Sequence, residues 1–262
     1  MNKKFVGIIL FCILTIICFV VNKEWQDYNK LSEIKNRGYL LVGTTGDYRP
    51  MSFYNAKTGT YEGFDITLAE NFASSLNVKP KFIHTSWPTL MDDTLSNKFD
   101  IAISGISITD KRKKLALMSD SYMDNGKTLL CRAEDINKYT NLESINQPNV
   151  RVMENPGGLN EEFARKNFPK ATIIIHNVNE EIPSLIAVGK ADVMITEIAE
   201  ALYYSNADKR LAAPLVNKPF TNGQIGILIP KKNRFLLKYI NKFLHNERKN
   251  GHLEELTKKI YT

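Results

Sequence analysis

The stretch YLLVGTTGDYRPMSFYNAKTGTYEGFDITLAENFASSLNVKPKFIHT, Tyr39 to Thr85, decides the fold. It opens on a β-rich run, Tyr39 to Thr44, passes through Phe64, Leu68, Phe72 and Leu76 at four-residue spacing, and closes on a second β-rich run, Lys81 to Thr85. Residues four apart share one face of a helix, whereas short apolar runs bounded by turn residues favour strands. The pattern reads as strand, amphipathic helix, strand: the βαβ unit of a parallel sheet.

The same grammar returns further on. Val150 to Met153 reads as a strand, a helical stretch begins at Asn160, Ala171 to His176 is β-rich, another helix runs to Gly189, and Asp192 to Thr196 closes the series. A second α/β lobe is expected. Gly223 to Ile229 is an apolar run ending at Pro230, expected as a strand that rejoins the first lobe. From Arg234, Leu236, Ile240 and Phe243 or Leu244 predict one or two closing amphipathic helices. The expected organisation is a first lobe over 30–129 and 219–262 and a second over 130–218, joined by two chain crossings that form a hinge.

Residues 1–22 stand apart. Lys3 and Lys4 precede an apolar run from Phe5 to Val21, the charged and hydrophobic regions of an export signal. Phe19, Val20 and Val21 lack the small side chains that signal peptidase prefers, so retention as a membrane anchor is the alternative. A helix over that run would measure about 26 Å against a hydrocarbon core of about 30 Å. Bulky Ile17 before Cys18 argues against a lipoprotein cysteine. Without this segment Cys131 is the only thiol, so export leaves no intramolecular disulfide to form.

Composition narrows the function classes. The 262 residues are 43% apolar and 24% charged, which is globular. The formal charge of +7 is spread without a block of five like charges, so nucleic acid is excluded as the expected partner and a small anion is favoured. His84, His176, His245 and His252 have no ligand spacing and no P-loop string occurs, so no metal site is expected.

The residue chemistry offers several candidates with two readings each. Arg112, following Ser104, Gly105, Ser107 and Thr109, is either a surface charge at a helix start or a guanidinium that grips a carboxylate through paired hydrogen bonds. Tyr48 and Trp87 are either core or walls for a flat ring. Pro156, Gly157 and Gly158 are a turn, or a place where backbone N–H groups approach an anion. Glu197 and Glu200 share a face at a helix start, as caps or as paired acids, and Lys127 is either solvated or a counter-charge.

The strings GTTGDY (Gly43 to Tyr48), GFD (Gly63 to Asp65), DIAISGISIT (Asp100 to Thr109) with Arg112, and ADVMITE (Ala191 to Glu197) resemble the amino-acid-binding family of extracellular solute-binding proteins. Within it, TSWPTLM (Thr85 to Met91), DNGKT (Asp124 to Thr128) and ENPGGLNEEFAR (Glu154 to Arg165) look like the cyclohexadienyl dehydratases. The resemblance implies a type II periplasmic-binding-protein fold, exported, with the ligand cleft between its lobes. It also implies a lyase that converts prephenate, or arogenate, without a cofactor; the alternative is a non-catalytic amino-acid receptor serving an ABC permease.

Residue by residue, the resemblance implies Glu200 as general acid with Lys127 and Asn155 beside it. Tyr48, Trp87, Ser104, Gly105, Ser107, Arg112, Gly158 and Glu197 would hold the substrate. Two positions depart from the dehydratase pattern: Leu159 stands where a carboxylate-binding threonine is expected, and Glu197 replaces the commoner aspartate.

Overall fold

The computed structural model describes residues 30–261 together with Thr15, so the export segment read over 1–22 lies almost wholly outside the described residues. Among those described, no helix is long and apolar enough to cross a membrane.

A helix over 30–37 leads into β1 (Tyr39–Thr44). A small antiparallel sheet of β2 (Asp47–Tyr48), β3 (Ser52–Asn55) and β4 (Thr60–Glu62) follows. The helix Phe64–Ser75 then returns the chain to β5 (Lys79–His84), parallel to β1. Phe64, Leu68 and Phe72, the four-spaced residues, are buried on its inner face. β6 (Ile101–Ala102) and β7 (Leu117–Met118) extend this first sheet.

The chain then crosses through β8 (Met123–Asp124) into a second sheet built from β9 (Lys127–Arg132), β10 (Arg151–Glu154), β11 (Thr172–Ile175), β12 (Val193–Glu197) and β13 (Leu211–Ala212). Its order is β11-β10-β12-β9-β13; β10 runs parallel to β11 and β12, and β9 runs antiparallel to β12. β14 (Gln224–Ile225) pairs with β8 on the way back, and β15 (Leu228–Ile229) completes the first sheet as β5-β1-β6-β15-β7. Two α/β lobes are therefore joined by a two-stranded ribbon.

Two boundaries differ from the sequence reading. The division at 129/130 falls inside β9, all of which belongs to the second sheet, so the crossing lies at Met123–Asp124. The run Gly223 to Ile229 is two strands, because the chain must leave the ribbon before joining β6 and β7.

Each lobe has its own apolar centre. Leu236, Ile240, Phe243 and Leu244 of the helix Arg234–Lys249 pack into the first, where Phe243 meets Phe72 at 5.3 Å between ring centroids. Leu129, Cys131, Val152, Phe168, Val193 and Ile195 form much of the second. Burial at this scale, about 25 cal/mol per Å² of apolar surface, holds each lobe rigid and leaves the ribbon as the place to bend.

Candidate active site

The strand ends of both lobes face one another across a cleft of about 350 Å³, counting its open mouth. Tyr48, Trp87, Gly105, Ser107 and Arg112 line it from the first lobe; Lys127, Asn155, Gly158, Leu159, Asn160, Asn179 and Glu197 line it from the second. Backbone geometry explains part of this arrangement. Gly105 has φ +62, and a Cβ there would lie 2.4 Å from the Tyr48 ring, so only glycine lets that ring approach the loop so closely. Tyr48 then meets Trp87 edge-on, with 5.9 Å between centroids.

Arg112 lies in the short helix Asp110–Leu115, whose Thr109 cap accepts its backbone N–H at 3.2 Å. Its Nη1 donates to the Ser107 carbonyl at 2.7 Å, which fixes the guanidinium while its other N–H groups remain at the cleft wall. The group is 8% exposed, so a carboxylate reaching it would be bound with little competing water.

Glu197 ends β12 and is the centre of the cleft's polar network. Its Oε1 accepts from Ser107 Oγ at 2.7 Å and Lys127 Nζ at 2.8 Å; its Oε2 accepts from Tyr48 Oη and Asn125 Nδ2, both at 2.9 Å. Burial alone would raise this carboxyl, but the Lys127 charge and the donated hydrogen bonds outweigh it and hold the group below its ordinary range. A carboxylate offers about four acceptor positions, and all are in use. Lys127 also donates to Asn160, which orders the start of the helix Leu159–Asn167 against the ammonium.

Glu200, in the first turn of the helix Ile198–Ala207, is fully buried one layer behind the cleft wall. Thr196 Oγ1 donates to one carboxyl oxygen and Asn179 Nδ2 donates to the other at 3.0 Å. Burial pushes its pKa to about 8, with Asp47 and Glu197 adding to the rise against the opposing hydrogen bonds. Glu154, just before Asn155, is a second buried acid: Oε1 accepts the Ile195 N–H at 2.7 Å, Oε2 has no partner, and burial drives it well above the carboxylate range.

Of the residues singled out from the sequence, Tyr48, Trp87, Gly105, Ser107, Arg112, Lys127, Asn155, Gly158 and Glu197 all line the cleft. Ser104 does not. It is fully buried and braced against Thr45, whose backbone N–H and Oγ1 lie 3.2 and 2.7 Å from its hydroxyl, because the chain turns that side chain inward. Four residues of the site were not anticipated as such. Asn125 bridges the ribbon to Glu197, Tyr48 and the Ala199 N–H; Asn160 and Asn179 hold Lys127 and Glu200; and Asp47 receives the Trp87 indole N–H. Asn125 and Asn160 lie inside the DNGKT and ENPGGLNEEFAR strings, and Asp47 precedes Tyr48, so position was the available signal; Asn179 had none. Among the described residues there is no cluster of three side chains fit to hold a metal.

Paired α/β lobes that shut on a small polar cleft through a two-stranded hinge define a clamshell ligand-binding protein. The chain belongs to the bacterial extracellular solute-binding proteins, family 3, whose sequence profile matches residues 40–262. Within that class it is 40% identical over 227 residues to the cyclohexadienyl dehydratase of Pseudomonas aeruginosa, covering 87% of this chain and 84% of that protein. A solved ancestral amino acid-binding protein, described as a precursor of cyclohexadienyl dehydratase, matches with TM-score 0.82 and 36% identity, covering 89% of this chain and 100% of that one. A solved ancestral cyclohexadienyl dehydratase is 49% identical with TM-score 0.55, covering 88% of this chain and 95% of its own.

Proposed function

We propose that this protein is an exported cyclohexadienyl dehydratase, which removes water and carbon dioxide from prephenate to give phenylpyruvate and treats arogenate alike to give phenylalanine. The observation that carries the reading is Glu200: a fully buried carboxyl lifted to about 8, beside a cleft lined with cations and aromatic rings. A free glutamic acid would be protonated about once in 500 molecules at pH 7, whereas one with a pKa near 8 is protonated in about nine of ten.

In this reading Arg112 and Lys127 receive the substrate carboxylates, Tyr48 and Trp87 flank the ring, and Asn155 orients the hydroxyl. The ring hydroxyl takes the place of the Asn179 amide at the Glu200 carboxyl, which otherwise lies behind the cleft wall, and Glu200 gives its proton to that hydroxyl as the C–O bond breaks. The electrons of the departing carboxylate's C–C bond flow into the ring, which becomes aromatic; water and carbon dioxide leave, and Glu200 regains a proton from solvent. No cofactor enters this sequence.

An amino-acid receptor is the rival, and the Arg112–Glu197 pairing resembles a carboxylate site facing an amine site. The Glu197 network speaks against it, since an arriving ammonium would find every acceptor position taken by Ser107, Lys127, Tyr48 and Asn125. Prephenate turnover followed at neutral pH decides between them. We expect the Glu200→Gln variant to lose about 10² to 10⁴ in rate; a wild type that binds an amino acid tightly and leaves prephenate to its spontaneous decay would refute the dehydratase.

A further inference from the structure

Asp47 connects the first lobe to the buried acid of the second. Its Oδ1 accepts the Trp87 indole N–H at 3.1 Å, and the Thr45 side chain donates to the same carboxylate. Its backbone carbonyl accepts one N–H of the Asn179 amide at 2.9 Å, and that amide also donates to Glu200 at 3.0 Å. Asp47 is carried by β2, whereas Asn179 and Glu200 belong to the second lobe, so these contacts require the lobes to be shut.

The charged and titratable groups around Glu200 come from every neighbouring element. Asp47 and Tyr48 face it from β2, Glu154 from β10, Glu197 from β12 and Tyr204 from its own helix. Glu197 is neutralised by Lys127 at 2.8 Å. Burial raises the Glu154 carboxyl and so disfavours its charge, and both tyrosines are pushed upward, so they stay uncharged. Arg49 is occupied by Glu180 at 2.7 Å. Burial raises the Asp47 carboxyl and its hydrogen bonds from Thr45 and Trp87 oppose that rise; among the described residues it is the acid facing Glu200 with no ion-pair partner, the exposed His84 being the cation that acts on it.

We propose that Asp47 is a positioning residue for the dehydration: closure carries its carboxylate up to Glu200, so that the acid holds its proton when the lobes are shut and gives it up when they part. The kinetic arm rests on the dehydratase reading; the spectroscopic arm does not. Asp47→Asn keeps the size and an oxygen for Trp87 while removing the charge, and Asp47→Glu restores the charge. The basic limb of kcat against pH, which reports the shut complex, is expected to move down by about one unit in the Asn variant, lowering turnover at alkaline pH by about tenfold, and to return in the Glu variant. A limb that stays in place overturns the proposal. If the wild type does not turn over prephenate at all, the dehydratase reading fails alone. The Glu200 titration, followed by carboxyl ¹³C NMR and identified with Glu200→Gln, then decides: a lower midpoint in Asp47→Asn supports the role and an unmoved midpoint removes it.

Discussion

The proton on Glu200 ties the site to the stability of the whole protein. Its ordinary pKa is 4.5 and its folded value is about 8. Below pH 4.5 folded and unfolded chains both carry the proton, so folding pays no penalty; as pH rises toward 8 the unfolded chain releases it and the folded one does not, and stability falls. Glu200→Gln removes this slope. We expect the variant to gain on the wild type as pH is raised through that window, by on the order of a few kcal/mol at the top, in denaturant titrations at pH 5 and pH 8. A constant difference would mean that the carboxyl is ionised when folded. The pair of glutamates was legible in the sequence because spacing at a helix start is local information. Their partners were not: Tyr48 and Glu197 are 149 residues apart, and only closure brings them together. Ser104 misled for a related reason, since a serine in a run of small polar residues carries no mark of which way it turns.

The ribbon of β8 and β14 is where an element governs motion. A Cβ on Gly126 would sit 2.0 Å from the Thr221 carbonyl oxygen, and one on Gly223 would sit 2.3 Å from that of Asn125, so the two crossing segments touch backbone to backbone. Gly126→Ala should force them apart at a cost of about 1–3 kcal/mol and weaken closure, read as a lower melting temperature together with weaker binding of prephenate. An unchanged melting temperature would show that the crossing has slack. The existence of two crossings was readable from the return of the Gly223 to Ile229 run toward the first lobe. Their exact place was not, because β9 is as apolar as a strand of either sheet.

At the scale of the whole molecule, closure is held by unequal contacts. Lys111–Glu162 bridges the lobes at 2.7 Å with side chains 72% and 57% exposed, while Tyr48–Glu197 is buried. Exposed pairs contribute about 0–1 kcal/mol, and a buried hydrogen bond to a charged group about 1.5–3. Lys111→Ala should therefore leave the radius of gyration of the ligand-bound protein nearly unchanged in small-angle scattering, and Tyr48→Phe should shift it toward the open form. The reverse ranking would place the latch at the rim.

Cys131 lies in the middle of β9 with no exposed surface, and burial pushes its thiol to about 12. Such a sulfhydryl stays unreactive toward maleimide dyes at neutral pH. In a chain beginning after the apolar leader, new cysteines on opposite rims can carry a fluorophore pair while the natural one is kept, and single-molecule energy transfer can then time each opening and shutting.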